Sequence, residues 1–193
     1  MKPRYKIISK NNIHKGFFEM SKIEFVHKKH DGTWSNSIQR EIFGGGHVST
    51  LLPYDPIKDE IILIQQFRAG ILSRHNESYL YEIVAGIIGD EEEPLDTAVR
   101  ECKEETGCDV IKATPILSYF PAPGSSESYY HLFLGEVKSF KGKRIQGLKS
   151  ENEDILVSTF KVNEVRKMLN NNIIKNGLTL IALQWFFLNY YKS

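Results

Sequence analysis

Glu101, Glu104 and Glu105 stand within five positions of one another, directly after Arg100. On a helix, Glu101 and Glu105 are i, i+4 neighbours, so their carboxylates lie side by side. Glu104 is one position from that line. Like charges so placed repel by roughly 0.2–0.5 kcal/mol. A hard divalent cation turns that repulsion into a binding site, because magnesium takes oxygen ligands and keeps several waters. Arg100 is i, i+4 from Glu104 and can orient it through a bidentate pair. Gly86, upstream, lets a backbone carbonyl turn toward such a cation. The plain alternative is a solvated helix face, with the acidic run Asp90 to Glu93 favouring the helix dipole.

The pattern around these residues places them on a helix. Pro94 suits the first helical position with its fixed φ. Leu95, Ala98, Val99 and Cys102 recur at i, i+3, i+4, i+7 and predict the buried stripe, leaving Glu101, Glu104 and Glu105 off it. Gly107 falls where a C-cap is expected. Gly86 to Glu93 reads as a glycine-punctuated acidic loop. Upstream, Phe18 to Phe25 and Trp34 to Phe43 read as a hairpin around the Asp31-Gly32 turn. His47 to Tyr54 and Glu60 to Phe67 are strands flanking a polar Pro56 turn. Further strands are expected at Tyr79 to Val84, Ile116 to Phe120, Tyr129 to Val137 and Ile155 to Phe160. Asn163 is expected to cap a helix through Leu169, and a last helix runs from about Leu178 to Tyr190. Lys138 to Arg144 reads as a solvated basic loop. This order predicts an α+β fold, with a small unit over 1–45 and the main domain over 46–193.

Composition bounds the partners. The chain has 193 residues, 41% hydrophobic and 25% charged, which excludes disordered and fibrous classes. Lys plus Arg is 25 and Asp plus Glu 24, so no global field recruits nucleic acid or membrane. The most apolar stretch, Leu178 to Leu188, is shorter than the ~20 residues a span needs. Cys102 and Cys108 lack metal-ligand spacing and sit in an apolar pattern, which suits reduced core residues of a cytoplasmic protein. No G-x-S-x-G elbow or HExxH pair offers another site chemistry.

Taken together, Gly86, Glu92, Arg100, Glu101, Cys102, Glu104, Glu105, Gly107 and Cys108 spell G-x5-E-x7-R-E-U-x-E-E-x-G-U. This resembles the box of the Nudix hydrolases, with Cys at both usually aliphatic U positions. The resemblance implies an α/β/α sandwich with a mixed sheet, and hydrolysis of a nucleoside diphosphate linked to another moiety with Mg2+, for which Mn2+ can substitute. It implies Glu101, Glu105 and the Ala85 carbonyl as metal ligands. Arg100 and Glu104 become orienting residues, and Glu92 a structural or outer-sphere one.

The likeness extends over residues 15–190 to the ADP-ribose pyrophosphatase branch of that family. It is carried by Pro123 in Ala122-Pro123-Gly124, by the acidic run Glu151 to Asp154, and by the ending Ile181 to Trp185. It implies Glu151 as the general base and Glu153 as a further metal residue. Phe17 and Phe18 would pack near adenine, and Arg68 and Ile87 would face the substrate. The branch also implies a homodimer that swaps its N-terminal hairpin, bringing Arg40 and Glu41 to the partner's site. Pro123, Glu127 and Ser128 belong to the loop facing the terminal ribose. Two positions depart from the branch pattern: Gly45 replaces an Arg, and Glu127 precedes the place of a Glu that Ser128 occupies. They motivate an alternative nucleotide sugar such as GDP-mannose. A non-catalytic ADP-ribose sensor is a further alternative, but such proteins lose box carboxylates that are all present here.

Overall fold

The structure is a computed structural model that describes residues 3–73 and 78–191. Among the described residues, ten strands and three α-helices form in the order β1 (Tyr5–Lys15), β2 (Glu19–His27), β3 (Ile38–Gly44), β4 (His47–Asp55), β5 (Glu60–Gln65), β6 (Val84–Ile87), α1 (Pro94–Thr106), β7 (Val110–Tyr119), β8 (Tyr129–Val137), β9 (Lys143–Gln146), β10 (Ile155–Lys161), α2 (Val162–Asn170) and α3 (Gly177–Trp185). The α+β class follows the expectation. Among the described residues no helix is long and apolar enough to cross a membrane.

The chain divides into two compact units. One comprises residues 1–47 and 119–129, the other 48–118 and 130–193. In the first, β1, β2 and β3 form an antiparallel three-stranded sheet. The expected hairpin is therefore completed by a strand that the sequence did not announce. β1 is exposed along almost its whole length, so no face of it carries an apolar alternation. The 119–129 segment joins this unit through hydrogen bonds from Phe43 N–H to the Ser125 carbonyl (2.8 Å) and from Glu127 N–H to the Phe43 carbonyl (3.1 Å).

The second unit is built on a seven-stranded mixed sheet, ordered β7-β8-β4-β5-β10-β9 with β6 on β4. Its central strands are apolar at consecutive positions because both faces are covered. Leu52, Ile61, Leu63, Leu132 and Leu134 face Val162 and Val165 of α2 and Ala182 and Leu183 of α3. Leu51, Ile62, Ile64 and Phe133 face Ala98 and Cys102 of α1. The strand period of two thus sends alternate residues to opposite helical layers, the expected α/β/α sandwich.

Several elements differ in extent from the sequence expectation. Tyr79 to Val84 is not a strand; Tyr79 and Glu82 make isolated bridges to Phe67 and Ile64, and the strand runs Val84–Ile87. Lys143 and Arg144, expected in a loop, belong to the exposed edge strand β9, whose shortness and charge hide it from an apolar pattern. α2 starts two residues early, with the Glu164 carboxylate accepting from Lys161 N–H at 2.9 Å instead of a cap by Asn163.

The buried face of α1 is also rotated from the expected stripe. Leu95 and Val99 are exposed at 43% and 37%, whereas Thr97, Ala98, Cys102, Glu105 and Thr106 are buried. The rotation turns Glu105, expected off the stripe, into the sheet-facing side.

Candidate active site

The strand β6, the loop after it and α1 build the centre. Gly107, at φ +72°, ends α1 with its N–H on the Lys103 carbonyl at 2.8 Å. Gly86 lies so close to α1 that a Cβ there would sit 2.0 Å from Glu101 Oε1. Only glycine lets the backbone meet that carboxylate.

Arg100 ties the loop to the helix. Its Nε and Nη2 donate to the two oxygens of Glu92 at 2.8 and 3.0 Å. Its Nη1 donates to Glu101 Oε1 and Glu104 Oε2, each at 2.9 Å. The bidentate partner is thus Glu92, and Glu104 receives a single shared contact. Glu92 also accepts from Gly89 N–H at 3.2 Å and Thr97 Oγ1 at 2.8 Å. These donors, Arg100 foremost, pull its pKa down to about 2.

Glu105 is the least solvated acid of the group, 2% exposed, with Ala85 N–H donating to its Oε2 at 3.2 Å. Burial raises its pKa well above the ordinary value, and Glu101 and Glu153 push the same way, while the Ala85 bond and Arg68 oppose. Burial raises Glu101 too, against the Arg100 charge beside it. Glu153 accepts from Leu148 N–H at 3.0 Å, inside a tight turn where Gly147 has φ +108°. Glu151 is exposed on the adjoining 3-10 turn over Lys149–Glu151. Arg68 donates Nε to both oxygens of Glu82 at 3.1 and 3.2 Å and Nη2 at 2.8 Å. Its charge reaches Glu105 and Glu153. Ile87, half exposed, ends β6.

The structure thus brings Arg68, Ala85, Arg100, Glu101, Glu104, Glu105 and Glu153 into one electrostatic neighbourhood. Among the described residues, no three His, Cys, Asp or Glu side chains converge closely enough to hold a metal. Each carboxylate is turned instead to a protein donor: Arg100, Ala85 N–H or Leu148 N–H. The donor set still suits a hard divalent cation. Glu105 is a buried acid with one amide bond and two acidic neighbours, and oxygen ligands are what such an ion takes. Sequence reasoning missed Glu82, which is 3% exposed. The one signal for it was a charge inside the apolar run Tyr79 to Val84.

The other expected substrate residues lie in the first unit. Phe17 and Phe18 meet edge to face with centroids 4.8 Å apart, and Phe18 lies 4.8 Å from Phe43. A cleft of about 320 Å³ is lined by His14, Phe17, Phe18, Glu19, Met20 and Phe43. Arg40 donates Nη1 to the Gln39 carbonyl at 2.7 Å, and Glu41 stands opposite Lys22 in the β2–β3 register. Pro123 sits in a turn closed by Ser125 N–H on the Ala122 carbonyl at 3.0 Å. Glu127 forms an ion pair with Lys10 at 2.8 Å. The two departures from the branch pattern touch each other. A Cβ at Gly45 would lie 1.8 Å from Ser128 Oγ, which in turn is 2.8 Å from Ser126 Oγ.

The family model described as NUDIX domain matches residues 47–178. An ADP-ribose pyrophosphatase of Haemophilus influenzae is 38% identical over 187 residues, covering 95% of this chain and 86% of the relative. An ADP-ribose pyrophosphatase of Escherichia coli K12 is 36% identical, covering 95% and 88%. A GDP-mannose pyrophosphatase of Escherichia coli O1:K1 / APEC is 29% identical, covering 93% and 91%. Among solved structures, the crystal structure of an ADP compounds hydrolase superposes with a TM-score of 0.70 at 17% identity. It covers 95% of this chain and 92% of that one, a likeness of fold.

Two consequences follow from the charges. Glu92 is ionised more readily in the fold than in the unfolded chain, where an ordinary glutamate titrates near 4.5, so its contribution is complete above that pH and fades as pH falls toward about 2. Urea unfolding of wild type and Glu92→Gln therefore shows a gap at pH 7 that narrows between pH 4.5 and 3. A constant gap would show that the carboxylate charge is not what Arg100 reads. For Glu105 the sign reverses. Its raised pKa makes the charged form a burden on the metal-free fold above pH 4.5. In EDTA at pH 7, Glu105→Gln melts several degrees above wild type. Equal melting in EDTA would mean the acid is not strained by its burial.

Proposed function

Since the chain belongs to the NUDIX family, we propose that it hydrolyses the diphosphate of ADP-ribose to AMP and ribose 5-phosphate. A divalent cation is the usual cofactor of the family; Mg2+ is the working ion of this reading and Mn2+ its substitute. The observation that carries the reading is the buried Glu105 beside Glu101 and Glu153. The identity to two relatives named for ADP-ribose supports the substrate.

Glu101 and Glu105, with the Ala85 carbonyl, are the residues that hold the cation, joined by Glu153 when substrate is bound. The ion, when bound, offsets phosphate charge and makes a water more acidic. Glu151 takes the proton of the attacking water. The water oxygen bonds to phosphorus, the bond to the bridging oxygen breaks, and that oxygen leaves on the other phosphate. An exposed carboxylate on a short turn suits a base that closes over a substrate held by a rigid helix. Arg100 and Glu104 orient Glu101, Arg68 faces the diphosphate, and Ile87 lies beside the substrate through its backbone.

The adenine stacks on Phe17 and Phe18, which the exposure of Phe17 at 87% permits. The N-terminal unit, residues 1–45, swaps between two copies of the main domain, 46–193, so that Arg40 and Glu41 reach the ligand from the second chain. Exposed Tyr5, Ile7, Ile8 and Ile13 in that unit support a dimer. Pro123, Glu127 and Ser128 face the terminal ribose. The protein works in the cytoplasm. A second reading, GDP-mannose as substrate, draws on the Gly45–Ser128 contact and on the 29% identical relative.

A panel of ADP-ribose, GDP-mannose, NADH and diadenosine polyphosphates with Mg2+ decides the substrate. AMP and ribose 5-phosphate form fastest from ADP-ribose; a faster GDP-mannose reaction transfers the reading to that sugar. Glu151→Gln lowers kcat about a hundredfold or more with metal affinity unchanged. Weakened metal binding at normal kcat would remove it as the base.

A further inference from the structure

Glu82 carries a buried charge that the reaction itself does not use. Its side chain is 5% exposed. Its backbone N–H and carbonyl are both paired with Ile64 on β5, at 2.9 Å each. The side chain is therefore anchored from behind and, among the described residues, meets one cation, Arg68, with three contacts between 2.8 and 3.2 Å. Glu82 is buried but the Arg68 side chain is 41% exposed, and burying one partner of an ion pair costs desolvation that the attraction largely offsets. Its value here lies in where it fixes the guanidinium.

Arg68 stands within electrostatic reach of Glu105 and Glu153 as well as Glu82. Arg100 shows what a guanidinium does beside these acids: it takes Glu92, Glu101 and Glu104 at once. Arg68 makes no such ion pair with Glu105 or Glu153; its fork is on the buried Glu82. We propose that Glu82 is a positioning residue that keeps the Arg68 guanidinium off Glu105 and Glu153, leaving both carboxylates to a divalent cation. The inference rests on reading those two acids as the metal residues.

Neutralising Glu82 weakens the fork and leaves Arg68 drawn to the remaining acids. There the guanidinium competes with the cation. The defect passes through Arg68, so removing the Arg68 charge removes the defect. A merely structural role for Glu82 would not behave so.

The test is Mn2+ binding to the full chain by calorimetry, without substrate. Glu82→Gln weakens Mn2+ about tenfold, the scale usual for a residue that orients a metal site from behind. The double variant Glu82→Gln with Arg68→Gln returns to the wild-type affinity. Glu82→Asp, which keeps the charge, stays close to wild type. Wild-type affinity in Glu82→Gln, an unrescued double variant, or a loss in Glu82→Asp as large as in Glu82→Gln would each overturn the inference. Glu105→Gln separates the premise from the inference: if it binds Mn2+ as tightly as wild type, the metal reading itself fails.

Discussion

A carboxylate 2% exposed, holding one amide hydrogen bond and facing two other acids, is an unfavourable thing to build into a fold. Protonation relieves it, and so does a cation. The rest of the second unit is arranged so that the strain persists and stays local. The sheet is covered on both faces, so α1 cannot shift away from β6 without opening the layer of Ala98 and Cys102. Gly86 lets the strand backbone approach Glu101, and the Ala85 N–H gives Glu105 one fixed donor.

The two arginines divide the remaining work. Arg100 belongs mainly to Glu92, and its third nitrogen steadies Glu101 and Glu104 from the solvent side. Arg68 belongs to Glu82 and contributes a field, not a contact, to Glu105 and Glu153. Positive charge is thus placed around the acids without neutralising the most buried one. That distribution of charge suits the proposed site, where a hard ion and an anionic substrate would bind together.

The placement of these residues was legible in the sequence because they are local: Gly86 on β6 and Arg100, Glu101 and Glu105 on α1 belong to one motif of fixed spacing. The angular setting of α1 was not legible. Leu95 and Val99 made the better apolar stripe, yet Thr97, Thr106 and Glu105 are the residues buried, since tertiary packing sets the face. Glu82 gave almost no signal, because its partner is set by the fold and is 14 positions away. β1 and β9 were missed for a common reason: both are exposed, and an exposed strand has no apolar alternation to read. The Gly45–Ser128 contact links two departures that the sequence presents as separate.

The most direct test of this account is the anomalous scattering of a crystal soaked in Mn2+. The account predicts a peak ligated by the carboxylates of Glu101 and Glu105 and by the Ala85 carbonyl, with Arg100 released from Glu101 and Arg68 still on Glu82. A peak elsewhere, or none while Arg100 keeps Glu101, would contradict the claim that the buried acid is a cation site.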